Sequence, residues 1–156
     1  MATIRLVPST YAVSNSSYVT VTNGSNMYTN VDSTTYASLR NTRSSTSNTY
    51  YVYIRGFNFS DVPSNAEVSS FSIKIRGYEA NLSTSSSYRM SLYNNTTSIS
   101  NTTVTSSLST TATTFTFPNG SLTWDTLKGY GSNFGIRVPL RRSSTSSNSY
   151  AYIYEL

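Results

Sequence analysis

The chain contains neither cysteine nor histidine in its 156 residues, and only 11% of its residues are charged. Without cysteine there can be no disulfide bonds and no zinc site built on thiolates. Without histidine the most common general base is absent, and the missing cysteine removes a strong nucleophile. Any acid–base or metal chemistry must therefore come from a small set of carboxylates.

Those carboxylates are few and scattered along the chain. A glycosidase needs two of them facing each other across a cleft, and calcium needs several oxygen ligands from clustered acids. Only two acids flank one turn, and there we expect Asp61 to cap the turn and Glu67 to begin a strand. We therefore predict no catalytic residue, no metal site, no cofactor and no enzymatic activity. The acids considered are Asp32, Asp61, Glu67, Glu79, Asp125 and Glu155.

Long hydrophobic runs are also lacking. No stretch approaches the roughly 18 apolar residues of a membrane helix, and the first ten residues lack the apolar segment of a secretory signal. We therefore expect synthesis in a cytoplasm, no export by a classical signal and no membrane association. The net charge of +5 gives a pI of about 9.5. Because no nucleic-acid-binding module accompanies this charge, we predict no nucleic-acid partner, and an acidic protein surface explains the charge equally well.

The chain is instead rich in small polar residues and tyrosine. It has 32 Ser, 24 Thr and 15 Asn, together with 14 Tyr and 6 Phe. Such polarity is often a sign of disorder, but here Val, Ile and aromatic residues recur at regular intervals. Thr, Tyr, Val and Ile favour half-buried strands, whereas Ser and Asn favour turns. This composition indicates a folded all-β protein with a thin core and a polar surface.

Two alternating runs carry the clearest strand pattern. Residues 50–55 place Val52 and Ile54 on one side of a strand, and residues 71–76 do the same with Ile73 and Ile75. Period-two alternation is typical of a strand with one face on a core. Pro63 and its small polar neighbours end the first run and orient the second.

Similar patterns predict strands along the whole chain. The only helical segment expected is residues 122–128, capped by Thr123, with Trp124 and Leu127 on one side. We predict a single domain, residues 1–156, folded as an all-β, jelly-roll-like β-sandwich of about ten short antiparallel strands with at most one short helical turn. The predicted strands are residues 4–7, 18–22, 36–39, 50–55, 71–76, 88–93, 102–108, 113–117, 134–140 and 150–155.

The order of several motifs between residues 50 and 156 carries a family resemblance. The motifs, in chain order, are Gly56-Phe57-Asn58-Phe59, Val62-Pro63-Ser64-Asn65-Ala66-Glu67-Val68, Phe71-Ser72-Ile73-Lys74-Ile75-Arg76, Leu122-Thr123-Trp124 and Asn133-Phe134-Gly135-Ile136-Arg137, followed by a closing Tyr-rich strand. This order resembles the small jelly-roll domains in structural proteins of tailed bacteriophages and related bacterial surface proteins. The unusual Ser, Thr and Tyr content is where the chain departs from that pattern.

The resemblance implies a non-enzymatic virion structural protein. We expect a capsid decoration protein that docks on the phage particle, with the major capsid protein or another virion protein as partner. Such proteins commonly form symmetric oligomers, so a homo-oligomer, for example a trimer, is expected in the virion. One alternative is a carbohydrate-binding or receptor-binding module of a tail fibre or tip, with a surface glycan as partner. A secreted bacterial adhesin domain is a third reading.

The candidate binding residues follow from the side of each strand that faces away from the predicted core. If the strands shared one sheet, their outward side chains would form a Tyr/Arg surface, and these residue types are enriched at interfaces. The protein-interface candidates are Tyr51, Tyr53, Arg55, Lys74, Arg76, Arg89 and Arg137. The glycan-binding candidates are Trp124, Tyr150 and Tyr152, although we favour for Trp124 a position over the open end of the core beside Phe134. Tyr150, Tyr152 and Tyr154 form a ladder whose direction depends on whether Ala151 and Ile153 face the core.

Overall fold

The computed structural model describes residues 4, 6–28, 35–67, 71–81, 89–99, 104–105, 113–117 and 122–155. Within these ranges the chain forms eleven strands and one α-helix. The all-β prediction is confirmed. The strands are β1 (Thr10–Val13), β2 (Val19–Thr22), β3 (Ala37–Asn41), β4 (Thr49–Arg55), β5 (Phe71–Ala80), β6 (Arg89–Asn94), β7 (Thr97–Ser98), β8 (Val104–Thr105), β9 (Thr113–Phe117), β10 (Phe134–Arg141) and β11 (Ser149–Glu155), with the helix α1 (Trp124–Tyr130) before β10.

The strands divide into two antiparallel sheets. The first sheet has the order β1-β4-β10-β6-β7, with β8 also paired to β6, and the second has the order β2-β3-β11-β5-β9. The last two strands are therefore central rather than peripheral. Strand β10 lies between β4 and β6, and β11 lies between β3 and β5. The end of the chain thus completes both layers of a jelly-roll-like sandwich.

The core lies between the two sheets and is built by alternation. In β10, Phe134, Ile136, Val138 and Leu140 are all fully buried, whereas Arg137 between them is only half-buried. In β11, Ala151 and Ile153 face the core, as do Val52 and Ile54 of β4 and Leu39 of β3. Because successive residues of a strand point to opposite sides, the residues between these point to the outer faces of the sandwich.

The first strand begins later than predicted. Residues 4–7 were expected to be a strand, but β1 is formed by Thr10–Val13. Pro8 has no backbone N–H to give to a sheet, and pairing with β4 starts at Ser9, whose N–H donates to the Arg55 carbonyl at 3.1 Å. Leu6 still packs against the core, but without a strand partner.

The helical segment forms where the sequence predicts it. Helix α1 begins after Thr123, whose Oγ1 accepts a hydrogen bond from the Thr126 N–H at 3.2 Å. Trp124 and Leu127 are buried on its inner side, and Gly131 ends it with φ of 53°. After β2, Asn23 with φ of 54° leads into a 3₁₀ helix, Gly24–Tyr28, which buries Met27.

The two clearest runs of the sequence do not lie in the same sheet. Strand β4 belongs to the first sheet and β5 to the second, so the turn around Pro63 crosses from one layer to the other. Strand β5 also continues past the predicted end at residue 76, through Gly77, to Ala80. Of the predicted strand at residues 102–108, only Val104–Thr105 is described, as β8. The rest of that segment lies outside the described residues, as do residues 31–34 and residue 88 at the start of the strand predicted for 88–93.

Candidate functional site

The predicted interface residues are split between opposite faces of the sandwich. Tyr51, Tyr53 and Arg55 on β4 and Arg137 on β10 belong to the first sheet, whereas Arg76 on β5 belongs to the second. The backbone of Arg89 lies on β6 in the first sheet and that of Lys74 on β5 in the second, and their side chains are outside what the structure describes. The continuous Tyr/Arg surface expected from a shared sheet is therefore not formed.

The outer face of the first sheet is organised around one arginine. The Arg137 guanidinium lies over the rings of Tyr51 and Tyr93, at 4.4 Å and 4.5 Å from their centroids. Its Nη2 also donates to the Ser91 hydroxyl at 3.2 Å. Strand pairing explains this arrangement, because Arg137 lies opposite Tyr53 on one side and Ser91 on the other. We call Tyr51, Tyr53, Tyr93 and Arg137 the arginine-centred cluster.

This cluster buries its own members. Tyr53 points away from the core, yet it is only 9% exposed because Tyr51, Tyr93 and Arg137 surround it. Burial raises the pKa of the Tyr53 hydroxyl, the neighbouring Tyr93 raises it further, and Arg137 opposes both effects. Arg55 stands beside the cluster and donates to the Asn95 side chain at 2.7 Å. The guanidinium groups of Arg137 and Arg55 are therefore both engaged in contacts within the chain.

The outer face of the second sheet is organised around tyrosines. Because Ala151 and Ile153 are buried, the alternate side chains of β11 point outward, which settles the direction that the sequence leaves open. A further tyrosine joins them from β5 and another from the residue before β3. Each of these rings contacts at least one other ring of the set. We call the set the tyrosine face: Tyr36, Tyr78, Tyr150, Tyr152 and Tyr154.

The rings of the tyrosine face pack against one another. Tyr78 and Tyr152 are directly paired across the strands and stack with centroids 4.5 Å apart and planes at 20°. Tyr150 stacks on Tyr152 at 5.5 Å and 11°, and Tyr36 meets Tyr152 edge to face at 5.1 Å. Rings stacked in this way cover each other's faces, so the surface offers ring edges and hydroxyls. A flat platform of exposed ring faces, which a sugar ring would need for stacking, is not what this arrangement provides.

Arginines stand at the rim of the tyrosine face rather than at its centre. The Arg76 guanidinium lies 4.7 Å from the centroid of the Tyr154 ring, and that of Arg40 lies 5.8 Å from the centroid of Tyr150. Arg40 is exposed, and it faces Tyr150 across the paired strands. Arg76 is half-buried, so the two guanidinium groups place positive charge along the border of the tyrosine face.

The hydroxyls at the centre of the tyrosine face stay protonated. Partial burial raises the pKa of the Tyr152 hydroxyl, and the neighbouring Tyr78, Tyr150 and Tyr36 add to the effect. The pKa of Tyr78 is raised for the same reason, with Tyr154 and Tyr36 contributing. The face therefore presents neutral hydroxyls, which both donate and accept hydrogen bonds, beside fixed positive charges.

Three members of this surface were missed from the sequence: Tyr36, Tyr78 and Arg40. The signal for Tyr78 was present, because the alternation that points Arg76 outward continues through Gly77 to Tyr78. Glycine fits at 77 because a Cβ there would collide with the Tyr152 backbone carbonyl. Tyr36 and Arg40 could not be placed, since their sheet partners come from more than 100 residues later.

Trp124 does not share a site with Tyr150 and Tyr152. It is 7% exposed and belongs to the core, where Phe59 meets its ring edge to face at 5.6 Å and links it to Phe134. Lys128 lies 5.7 Å from the ring centroid on the outer side. The position over the open end of the core is therefore the one observed, and the ring is not an exposed platform for sugar stacking.

A groove of about 550 Å³ opens beside Trp124, between the segment that follows β4 and the C-terminal half of α1. Its floor is apolar and its rim carries hydroxyl, amide and ammonium groups. The turn containing Pro63 shapes one wall through hydrogen bonds from Val62 N–H to the Phe59 carbonyl and from Ala66 N–H to the Pro63 carbonyl, at 3.1 Å and 3.0 Å. The lining residues are Gly56, Phe57, Asn58, Phe59, Ser60, Val62, Ser64, Trp124, Lys128, Gly131 and Ser132.

The described carboxylates form no cluster. Asp61 and Glu67 are both exposed, and Asp125 is engaged with Lys128 across one helical turn at 2.8 Å. Among the residues that the structure describes, no three His, Cys, Asp or Glu side chains come together as metal ligands. Within the same ranges no helix has the length and hydrophobicity needed to cross a membrane.

Comparison with known proteins returned no relative: no family model, no curated protein and no solved structure matches the chain. Its function must therefore be argued from the geometry of its own surfaces.

Proposed function

We propose that this chain is a non-enzymatic docking protein that uses the tyrosine face and its arginine rim to bind an acidic protein surface. The observation that carries the proposal is the connected set of five outward tyrosines with Arg40 and Arg76 beside them. Tyr and Arg are the side chains in which interface energy concentrates, because each offers a large apolar area together with hydrogen-bonding groups.

The kind of partner follows from the charge of the arginine rim and from the geometry of the tyrosine rings. The rim charges are positive, as is the chain as a whole at +5, so an acidic partner is attracted and a basic one repelled. Because the stacked rings present edges and hydroxyls, a polypeptide surface with carboxylates and carbonyls fits them better than the flat face of a sugar ring. Little reordering is needed on binding, since ring packing already fixes the side chains.

The biological setting we propose is the virion of a tailed bacteriophage. The resemblance of residues 50–156 to phage jelly-roll domains supports it, and the motifs on which it rests form parts of the fold that hold the layers together: the Pro63 turn, the Trp124 helix and β10. In this setting the chain decorates a capsid, with the major capsid protein or another virion protein as partner, and it assembles as a homo-oligomer. A carbohydrate-binding or host-receptor-binding role at a tail tip is the competing proposal.

Co-sedimentation with purified capsids of the phage that carries this chain tests the proposal. We expect the chain to pellet with capsids at low salt and to be released as the salt concentration rises, since screening weakens charge attraction. The double variant Arg40→Ser/Arg76→Ser should reduce affinity about 10-fold or more, because each rim arginine is expected to contribute on the order of 1 kcal/mol.

A matched control comes from the opposite face of the molecule. Arg55→Ser removes one arginine, as the single rim variant Arg40→Ser does, but Arg55 lies on the first sheet, and we expect capsid binding to be unchanged. Docking through the tyrosine face would be excluded if Arg55→Ser weakened binding and the rim variant did not. Analytical ultracentrifugation of the free chain tests the homo-oligomer, which a purely monomeric mass at capsid-binding concentrations would contradict.

A further inference from the structure

The groove beside Trp124 is a second site, separate from the tyrosine face, and its chemistry differs from that of the docking surface. Three aromatic side chains, Phe57, Phe59 and Trp124, form most of its floor, and two of them are largely buried. A ligand resting there would need an apolar side as well as polar groups. This combination is typical of small-molecule sites, in which an apolar cavity holds a few orienting polar groups.

At least one hydrogen-bond donor that lines the groove has no acceptor among the described residues. Trp124 is only 7% exposed, and its Nε1 has no hydrogen-bond acceptor among the described residues. An indole nitrogen can only donate a hydrogen bond, and a buried donor without an acceptor costs free energy. Asn58 uses its side-chain oxygen to accept from the Ser60 N–H at 3.0 Å, which turns the carbonyl end of the amide toward the chain.

The rim adds hydroxyls and one positive charge. Ser60, Ser64 and Ser132 are exposed at the groove, and Lys128 is 40% exposed on its outer side. Lys128 is paired with Asp125, but that carboxylate is 89% exposed, and such surface pairs contribute little to stability. A ligand carboxylate can therefore replace Asp125 as the partner of the ammonium group.

From these observations we propose that the groove binds an acidic saccharide. The C–H side of the sugar ring rests on Phe59, the half-buried ring of the floor, its hydroxyls exchange hydrogen bonds with the serine rim, and its carboxylate pairs with Lys128. A sugar oxygen also supplies the acceptor that the Trp124 N–H lacks among the described residues of the groove. The proposal does not depend on docking through the tyrosine face, and it supplies the chain with a second kind of recognition.

Trp124 is the single tryptophan, so its fluorescence reports on this groove alone. The chain is titrated with D-glucuronic acid, methyl β-D-glucoside and sodium acetate, each to about 50 mM, a range suited to monosaccharide dissociation constants of about 1–10 mM. We expect glucuronic acid to change the fluorescence and to bind at least about 5-fold more tightly than the glucoside, with no saturable response to acetate. Equal response to all three compounds, or no response to glucuronic acid, overturns the proposal.

Two variants and one control locate the binding. Lys128→Gln should reduce the preference for glucuronic acid over the glucoside to about 2-fold or less, because only the charge pair is lost. Trp124→Phe preserves an aromatic ring in the core and removes the donor, and its weaker binding is followed by amide chemical shifts rather than by fluorescence. Tyr150→Ser on the tyrosine face should leave glucuronic acid binding unchanged. Shifts that cluster on Tyr150 and Tyr152 instead of on residues 56–64 would overturn the assignment to the groove.

Discussion

The two outer faces of the sandwich use the same residue types in opposite arrangements. On the first sheet, Arg137 lies at the centre and tyrosines surround it, so the charge is sandwiched between rings and Tyr53 is nearly buried. On the second sheet the tyrosines lie at the centre and Arg40 and Arg76 stand at the rim. The central cation lies between two rings, whereas each rim cation lies beside one ring at the border of its face. We therefore propose that the same composition stabilises one face and serves binding on the other.

The largest difference should appear when a tyrosine is truncated on each face. Tyr53→Ala removes a nearly buried ring from the arginine-centred cluster and should cost about 3 kcal/mol of unfolding free energy. Tyr150→Ala removes a half-buried ring from the edge of the tyrosine stack and should cost about 1 kcal/mol. Urea unfolding of both variants measures the two values. Equal losses would mean that the two faces contribute alike to stability.

Replacing one arginine on each face should show the same order of effects, with smaller losses of unfolding free energy. Arg137→Met keeps much of the side-chain volume but removes both cation–π contacts and the bond to Ser91, at a cost of about 2 kcal/mol. Arg40→Met on the rim should cost less than about 0.5 kcal/mol, because its contact with Tyr150 is long and exposed. Thermal or urea unfolding decides the matter, and a larger loss for Arg40→Met would reverse the roles given to the two faces.

Alkaline pH should weaken both faces through their tyrosines. The pKa values of Tyr53, Tyr78 and Tyr152 are raised above the ordinary value of 10.0, so the folded chain holds these protons more tightly than the unfolded chain. The associated stability is fully present below pH 10 and is lost as the pH rises through the raised pKa values. Unfolding free energy measured from pH 8 upward should therefore fall above pH 10.

The double variant Tyr78→Phe/Tyr152→Phe provides the control for this pH effect. It keeps the stacked rings and removes two of the titrating hydroxyls, so the decline above pH 10 should become shallower. Absorbance at alkaline pH, which follows tyrosine ionisation, identifies the groups involved. An unchanged decline would assign the effect to the remaining tyrosines, with Tyr53 and Tyr28 as the groups whose pKa values are also raised.

A small effect on stability is expected at Tyr36, the most exposed ring of the tyrosine face. Tyr36 is 38% exposed, so Tyr36→Ser should change the unfolding free energy by less than about 1 kcal/mol. The same substitution should nevertheless weaken capsid binding several-fold, since its ring edge meets both Tyr152 and Tyr154 at the surface. Binding that survives Tyr36→Ser intact would remove this residue from the docking surface.

Much of the local structure could be predicted from neighbouring residues. The strand at residues 134–140 and the helix capped by Thr123 were both predicted, because the causes of both lie within a few positions of the chain. The first strand was misplaced since its pairing with β4 depends on residues 39 to 45 positions away. The single Tyr/Arg surface is not formed for a similar reason, as its strands alternate alike but pair in different sheets.

The sequence by itself determined that the chain is all-β, which side chains of most strands are buried, and that tyrosine and arginine would cover the outside. Alternation with a period of two determines these features, because successive residues of a strand lie on opposite sides of it. Only the tertiary structure decided which strands share a sheet. By inserting β10 between β4 and β6, and β11 between β3 and β5, it enclosed Arg137 among tyrosines on one face and left Arg40 and Arg76 outside the tyrosines on the other. Partner choice between similar strands is set by long-range packing, which no local pattern records.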